Sequence, residues 1–253
     1  MGWLNKDNLK ISKRFQNSNS HIDIKHVIDY SFESSSDIKQ IEYCPIFDYN
    51  SLKPKIRFDH KQKFCKGKKF KINRKNLSLF GLPAYGVHCN IWSKHKNSTI
   101  IHLAKRSSKL EKFPGLYDNP VAGGQPVNLS IEENLQKEAH EEAGLNFNQI
   151  FLAKKGATVH YMHNEKEKFN SSVIFNYHLE KTRDMEFKNQ DGEVDEFISI
   201  EIDKIYKILE RKELKANCII PIIDFLFLKE GDFISKKTVV EIKKIFNNEY
   251  NYE

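Results

Sequence analysis

Apolar residues gather into short stretches along the chain after residue 80, and these stretches predict strands. They are rich in β-branched and aromatic residues, which favour extended structure. The predicted strands cover 85–92 (YGVHCNIW), 98–107, 153–163, 171–181 and 194–202. A loop at 113–126, punctuated by Gly and Pro, contains one more short strand. Strands with a few helices between them predict a layered domain of the α/β or α+β class.

Residues 131–143 carry the period of a helix that packs against a core. The positions spaced by four, three, four and three residues are Ile131, Leu135, Glu138, Glu142 and Leu145. Ser130 with Glu133 forms a capping box at the start, and Gly144 is suited to the left-handed turn that ends a helix. The stripe predicts an inward face, and two of its five residues are acids.

Three acids crowd the last turns of this helix. Glu138, Glu141 and Glu142 lie at positions i, i+3 and i+4, so their side chains are neighbours at the negative end of the helix dipole. Buried charges persist when they are paired or bind a metal. A hard divalent cation removes all three penalties, so the acids predict a site for Mg²⁺ or Mn²⁺. Gly123 and Gly124, just upstream, allow the backbone close approach to phosphate.

The ends of the chain differ from its centre. Residues 1–80 are polar and carry no catalytic motif, although 41–49 (IEYCPIFDY) predicts a strand or the edge of a helix. Toward the C-terminus, helices are predicted near 203–212, 217–229 and 236–248.

Composition limits the class of protein. The chain has 253 residues, of which 39% are hydrophobic and 30% charged. The sequence holds no apolar run near the roughly 20 residues that cross a bilayer, and its start lacks the apolar core of a signal peptide. We therefore expect a soluble cytoplasmic protein without membrane contact. Its four cysteines show no paired motif and predict free thiols.

Positive charge is concentrated in residues 53–75. This stretch holds eleven Lys or Arg against one Asp, a net of +10, so the rest of a chain of net charge +7 sums to −3. Such a block is typical of a polyanion contact or of a solvated basic surface. Its three phenylalanines, among them Phe64 and Phe70, are too few to interleave with the basic residues for base stacking, so we do not expect a nucleic-acid site there.

Residues 123–145 resemble a Nudix box, whose pattern is G-x5-E-x7-R-E-U-x-E-E-x-G-U with U aliphatic. The residues that fit it are Gly123, Glu138, Ala139, Glu141, Glu142, Gly144 and Leu145. Leu129 replaces the first Glu, and Lys137 replaces an Arg whose bidentate fork it cannot reproduce.

The departures resemble a subfamily in which the first Glu is often missing. That subfamily joins an N-terminal domain of unknown function to a Nudix domain and is linked to thiamin pyrophosphokinase. Its signature is similar to YGVH at 85–88, PGLYDNPVAGGQP at 114–126, NQDGEVDEF at 189–197 and NCIIPIIDFLF at 217–227.

The resemblance implies a division into three parts and a specific activity. The parts are an N-terminal accessory domain at 1–80, a Nudix domain at 81–230 and a C-terminal helix at 231–253. The expected fold is an α/β/α sandwich with a mixed sheet, preceded by a smaller α/β domain. The expected activity is metal-dependent hydrolysis of thiamin diphosphate, or of its oxidised or oxy analogues, to the monophosphate and phosphate.

The resemblance also implies roles for residues around the box. Glu142 and Glu193 are the candidate catalytic residues, with Glu196 as the alternative to Glu193. His88 and Arg106, with the two glycines of the box, are candidates for substrate binding. Lys137 and Gly144 are expected to support the box structurally.

Two other functions stay open at this point. A nucleotide or RNA-cap hydrolase of the same family would use the basic stretch to hold nucleic acid. A binding module that has lost catalysis is suggested by Leu129 and Lys137, whereas the retained acids argue against it. The partner expected in either enzyme is a small-molecule diphosphate, and the sequence does not predict the oligomeric state.

Overall fold

The computed structural model of the protein describes residues 42–46, 61, 70–165 and 168–228. The described strands are β1 Tyr43–Ile46, β2 Phe70–Asn73, β3 Pro83–His95, β4 Ser98–Arg106, β5 Tyr117–Asp118, β6 Val121–Gly124, β7 Lys154–Glu165, β8 Lys168–Glu180 and β9 Val194–Glu201. The α-helices are α1 Ile131–Ala143, α2 Phe147–Ile150, α3 Ile205–Glu210 and α4 Ile219–Leu228. Short 3₁₀-helices cover Arg74–Phe80, Ile202–Lys204 and Ala216–Cys218.

Strand β3 is at the centre of the larger sheet. It pairs antiparallel with β4 and β6 and parallel with β8, which pairs antiparallel with β7. Strands β5 and β9 both pair antiparallel with β4. Within the described residues the sheet therefore has seven strands and is mixed, which confirms the predicted α+β class with a mixed sheet.

Each face of this sheet is covered by a different apolar cluster. On one face α1 contributes Ile131 and Leu135, which share a cluster with Val87 and Ile91 of β3. On the other face α3 and α4 share a cluster with Trp92 of β3 and with β4. Strand β3 is buried on both faces because helices cover both. Helix α1 is thereby held beside β6, with which it forms the candidate site.

The observed elements follow the predicted ones closely. All five long predicted strands are present, and α1 has the predicted bounds, capping box and terminal Gly144 with φ of 69°. The predicted helix near 203–212 is a 3₁₀-turn followed by α3. Helix α2 was not predicted, because four residues are too few to show a period.

The described part of the N-terminal region packs against β3. Strands β1 and β2 form an antiparallel pair, and the buried Cys44, Ile72 and Leu77 share a cluster with Leu82 and Ala84. The division of the chain at 80/81 stays a prediction. Most of the basic stretch and the predicted helix at 236–248 lie outside the described residues. Among the described helices, none has the length and apolar character needed to cross a bilayer.

Candidate active site

The acidic face of α1 is fixed by both ends of the helix. Ser130 Oγ accepts from the backbone N–H of Glu133, whose carboxylate accepts from the N–H of Ser130, and these bonds satisfy donors at the start. Gly144 ends the helix in the left-handed conformation that a residue without Cβ adopts freely. Inward residues of the last turns are Ala139, Glu142 and Ala143.

Glu142 is the buried acid of this face. Its residue exposure is 7%, and its Oε2 accepts a hydrogen bond of 2.7 Å from the backbone N–H of Ala122 in β6. Burial raises the pKa of Glu142 well above its usual range, and the charges of Asp118, Glu138 and Glu193 raise it further. The hydrogen bond from Ala122 acts in the opposite direction. Glu142 is thus a buried carboxyl group within a cluster of acids, a setting in which a bound cation would be stabilising.

Glu138 lies one helical turn away, pressed against β6. Its side chain is 12% exposed, and burial raises its pKa, as do the charges of Glu141 and Glu193. A Cβ added to Gly123 would overlap the carboxyl group of Glu138, so only glycine at this position leaves the acid its place. Gly124 makes similar room for the guanidinium of Arg74. Binding of substrate by the two glycines stays a prediction.

Lys137 partly neutralises the acids. Its ammonium lies 2.6 Å from Oε2 of Glu141 and 3.2 Å from Oε1 of Glu138. The Lys137 ammonium therefore bridges Glu138 and Glu141, two of the three predicted metal ligands. Both carboxylates stabilise the charged form of Lys137. Lys137, which stands where the box pattern has Arg, is thus a partly exposed residue that contacts Glu138 and Glu141.

Glu193 approaches this group of acids from another part of the chain. It lies in the turn before β9, where its N–H donates to Oδ1 of Asp191 and its carbonyl accepts from Ser107. Its charge raises the pKa of both Glu138 and Glu142, which indicates that it faces the same site. Glu196, the alternative candidate, instead lies 3.9 Å from Lys105 on the surface.

Asp118 is a buried ionic centre next to Glu142 that the sequence did not single out. Its Oδ2 lies 2.6 Å from Nζ of Lys215 and 3.1 Å from Nη1 of Arg106, and its Oδ1 accepts from the Cys218 thiol at 2.6 Å. Although burial opposes ionisation, Lys215 and its other partners lower the pKa of Asp118 to about 2. Arg106, a candidate for substrate binding, thus contacts Asp118 and donates to the carbonyl of Lys112.

His88 lies beside Asp118 and Cys218. The potential ligand atoms of these three side chains, an imidazole nitrogen, a carboxylate oxygen and a thiol sulfur, lie within 4.8 Å of one another. Such a trio can bind a metal, but the ammonium of Lys215 already neutralises the carboxylate. Burial lowers the pKa of His88 to about 4, so the ring is neutral at physiological pH. Nδ1 lies 2.9 Å from Oδ1 of Asn119, and Nε2 lies 3.4 Å from Nδ2 of Asn217.

The fold therefore brings together most of the residues that the sequence selected. One group of residues that interact electrostatically consists of Glu138, Glu141, Glu142 and Glu193. A second group is centred on Asp118, which interacts with His88 and Arg106 and also with Glu142 of the first group. Sequence reasoning missed Asp118, Asn119, Lys215, Asn217 and Cys218. The available signal was the acid and amide pair in the loop at 117–120 (YDNP), which precedes the glycines of the box.

Comparison with known proteins agrees with the box. The chain is 36% identical over 159 residues to Nudix hydrolase 20, chloroplastic, of Arabidopsis thaliana, a match that covers 62% of this chain and 42% of the relative. It is 31% identical over 217 residues to Nudix hydrolase 24, chloroplastic, of the same plant, a match that covers 84% of this chain and 59% of the relative. Both relatives are named as Nudix hydrolases, which agrees with the resemblance of residues 123–145 to a Nudix box. No protein-family model matches the chain.

Among solved structures, the NUDIX domain of Shewanella oneidensis NrtR in complex with ADP ribose is similar at 14% identity and a TM-score of 0.44. That match covers 56% of this chain and 85% of the domain. The chain spans about half the length of the curated Nudix hydrolases it matches. Both plant names include the word chloroplastic, and the cytoplasmic location expected for this chain stays a prediction.

Proposed function

We propose that the protein is a metal-dependent diphosphatase that hydrolyses thiamin diphosphate, or its oxidised or oxy analogues, to the monophosphate and phosphate. The observation that carries the proposal is the buried Glu142 carboxyl, held by Ala122 beside Glu138 and Asp118. A cation that binds these neighbouring carboxylates would offset the cost of burying their charge.

Glu138, Glu141 and Glu142 are the residues that would hold Mg²⁺ or Mn²⁺. The donor set fits, because all three offer carboxylate oxygens, the ligands that hard divalent cations prefer. When bound, the cation would supply neutralisation of the diphosphate charge and of the crowded acids. Lys137 contacts Oε1 of Glu138 and Oε2 of Glu141, so a bound cation would share these two carboxylates with its ammonium group.

A carboxylate of this chain would accept the proton of the attacking water. Water attacks one phosphorus atom, its proton passes to the carboxylate of Glu193 or Glu142, and the bond from that phosphorus to the bridging oxygen breaks. The bridging oxygen leaves with the other phosphate. Glu193 is on a surface turn, so it can release the proton to solvent after the reaction.

The choice of a thiamin compound rests on sequence features outside the box. The segments at 85–88, 114–126 and 189–197 resemble the thiamin-linked subfamily, and their side chains His88, Asp118 and Glu193 are electrostatically coupled to each other or to Glu142. The names of the two plant relatives support hydrolase activity, but they do not name a substrate.

The test is a panel of diphosphates assayed on the full chain with Mg²⁺ or Mn²⁺, with release of phosphate as the readout. Thiamin diphosphate and oxythiamin diphosphate should be turned over faster than ADP, ADP-ribose or a capped RNA. Faster turnover of nucleotides would remove the thiamin proposal and favour the nucleotide hydrolase. Absence of turnover with every compound, at a metal concentration that stabilises the protein, would indicate a binding module.

A further inference from the structure

The face of the central strands that is turned toward α4 carries a layer of buried polar side chains. His88 and Asn90 lie on β3, and Asn176 and His178 lie opposite them on β8, in the parallel register His88↔Asn176 and Asn90↔His178. All four are at most 5% exposed. A buried polar layer is costly unless its hydrogen bonds are satisfied, so its pattern of donors and acceptors is strongly constrained.

The carbonyl of Pro221 at the start of α4 fixes this pattern. It lies 2.7 Å from the amide of Asn90, and because a carbonyl only accepts, the contacting atom of Asn90 is Nδ2. Oδ1 of Asn90 is then the acceptor for Nδ2 of Asn119, at 2.9 Å. It follows that Oδ1 of Asn119 is the atom that faces His88.

An acceptor facing His88 determines its tautomer. Oδ1 of Asn119 lies 2.9 Å from Nδ1 of His88, so Nδ1 carries the hydrogen and Nε2 presents a lone pair. The second N–H of Asn90 points to Nδ1 of His178 at 3.3 Å. His178 accordingly carries its hydrogen on Nε2, which donates to Asp224 at 3.0 Å. Two histidines and two asparagines thus agree on one assignment.

The outward end of this chain of hydrogen bonds is the weakest. Nε2 of His88 meets Nδ2 of Asn217 at 3.4 Å, which is longer than the usual range for such a bond. Asn217 is partly exposed and lies in the short 3₁₀-helix before α4. A ligand can therefore replace this contact and leave His88 as an acceptor beside Asn217 as a donor.

We infer that His88 and Asn217 recognise the organic part of the substrate, and that they select a ring with a hydrogen-bond donor next to an acceptor. Nε2 of His88 accepts from the donor of the ring, and the amide of Asn217 donates to its acceptor. Asn90 and Asn119 are positioning residues that keep His88 in the tautomer that can accept. The inference rests on the proposed function for the identity of the ring.

The chemistry of the proposed substrates suits this pair. The pyrimidine of thiamin has an amino group next to a ring nitrogen, and that of oxythiamin has a ring N–H next to a carbonyl oxygen. Both rings offer one donor beside one acceptor, in opposite order, so a small shift of the ring satisfies His88 and Asn217 in each case. The charge of Asp118 acts on both His88 and Glu142, so this pair is electrostatically coupled to the acids.

The first experiment measures the tautomer directly in the full chain. A long-range ¹H–¹⁵N NMR spectrum at neutral pH should show His88 neutral with the hydrogen on Nδ1, and Asn119→Leu should remove this preference. Asn119→Asp retains an acceptor and should retain the Nδ1–H tautomer, which covers the case that the leucine variant does not fold. Hydrogen on Nε2, or a charged ring, in the wild-type protein would overturn the inference.

The second experiment tests recognition by comparing thiamin diphosphate with an analogue in which the amino group is replaced by hydrogen. The wild-type protein should bind the analogue at least ten-fold more weakly in calorimetry, and KM should rise by a similar factor with little change in kcat. His88→Gln should lose this discrimination, whereas His95→Gln, at the exposed end of the same strand, should keep it.

The outcomes separate this inference from the proposed function. If thiamin diphosphate is hydrolysed and the His88→Gln variant discriminates as well as the wild-type protein, the inference is wrong and the function stands. If thiamin diphosphate is bound with discrimination but not hydrolysed, the activity is wrong and the recognition pair stands. If the compound is not bound at all, both fail.

Discussion

The backbone N–H of Ala122 donates a hydrogen bond of 2.7 Å to Oε2 of Glu142. This contact joins β6 to α1, so the position of a buried acid depends on a strand of only four residues. It also fixes Oε2 of a carboxylate that interacts electrostatically with Glu138 and Glu193. A cation bound there would therefore meet an acid that the backbone has already oriented.

Replacement of Glu142 by Gln should abolish most turnover while the fold persists. The amide oxygen can still accept from Ala122, but the charge needed to hold a divalent cation is gone. Phosphate release with Mg²⁺ should fall by orders of magnitude. The metal-free variant should be more stable than the wild-type protein, by on the order of 1 kcal/mol, because an uncompensated buried charge has been removed.

Glu132→Gln is the matched control for this change. Glu132 is on the same helix, and it contacts Lys155 at 3.4 Å in a partly exposed ion pair. Turnover and metal affinity should remain near those of the wild-type protein. Wild-type turnover in Glu142→Gln, or an equal loss in both variants, would contradict the assigned role of Glu142.

Gly123→Ala should weaken metal binding without touching a predicted ligand. The new Cβ would overlap the carboxyl group of Glu138, which must then leave its place against β6. Because this carboxyl group is the end of a flexible side chain, it can shift at little cost to the stability of the fold. Binding of Mn²⁺, measured by calorimetry or electron paramagnetic resonance, should weaken at least ten-fold. Unchanged affinity in the folded variant would show that the position of Glu138 does not matter.

Lys137→Gln should make the protein more dependent on its metal. Lys137 bridges Glu138 and Glu141, and it is 41% exposed, so its loss should cost the metal-free protein about 0.2–1 kcal/mol. The melting temperature should then rise more on addition of Mn²⁺ than it does in the wild-type protein. An equal rise in both proteins would mean that the ammonium and the metal do not act on the same carboxylates.

The sequence could predict helix α1 and its acids because every signal lay within 23 residues. A capping box, a terminal glycine and a heptad-like stripe fix the helix, and Glu138 and Glu142 conflict with that stripe. The observed burial of Glu142 confirms that the conflict was real. Capping and helical periodicity act between residues close in sequence, so the part of the candidate site that lies on α1 could be predicted.

The rest of the candidate site could not be predicted because it depends on the sheet register. Lys215 and Cys218 come into contact with Asp118 across about a hundred residues of chain, through the pairing of β4 with β5 and the bridge between Tyr117 and Leu214. The facing of His88 and Asn176 depends on a parallel pair with no sequence signal for its register. Such contacts emerge only when the fold is assembled.

The stability of the protein should fall in mildly acidic solution because of His88. Burial gives its ring a pKa of about 4 in the folded protein, opposed by Asp118 and assisted by Lys215, whereas an unfolded histidine has a value near 6.5. The folded pKa is the lower one, so the stabilising contribution is fully present above pH 6.5 and is lost as the pH falls toward 4. Between pH 7 and pH 5 this group should cost the wild-type protein up to about 2 kcal/mol.

Denaturant unfolding of the metal-free protein at pH 7 and pH 5 checks this value by difference. His102 is shifted in the same direction, also to about 4, but it is present in wild-type protein and variant alike and cancels. His88→Gln should therefore lose about 2 kcal/mol less than the wild-type protein over this range, whereas His95→Gln should lose as much as the wild-type protein. Equal losses in all three would mean that His88 is protonated as readily in the folded protein as in the unfolded one. The neutral ring that accepts a hydrogen bond from the substrate would then be depleted below about pH 6.5.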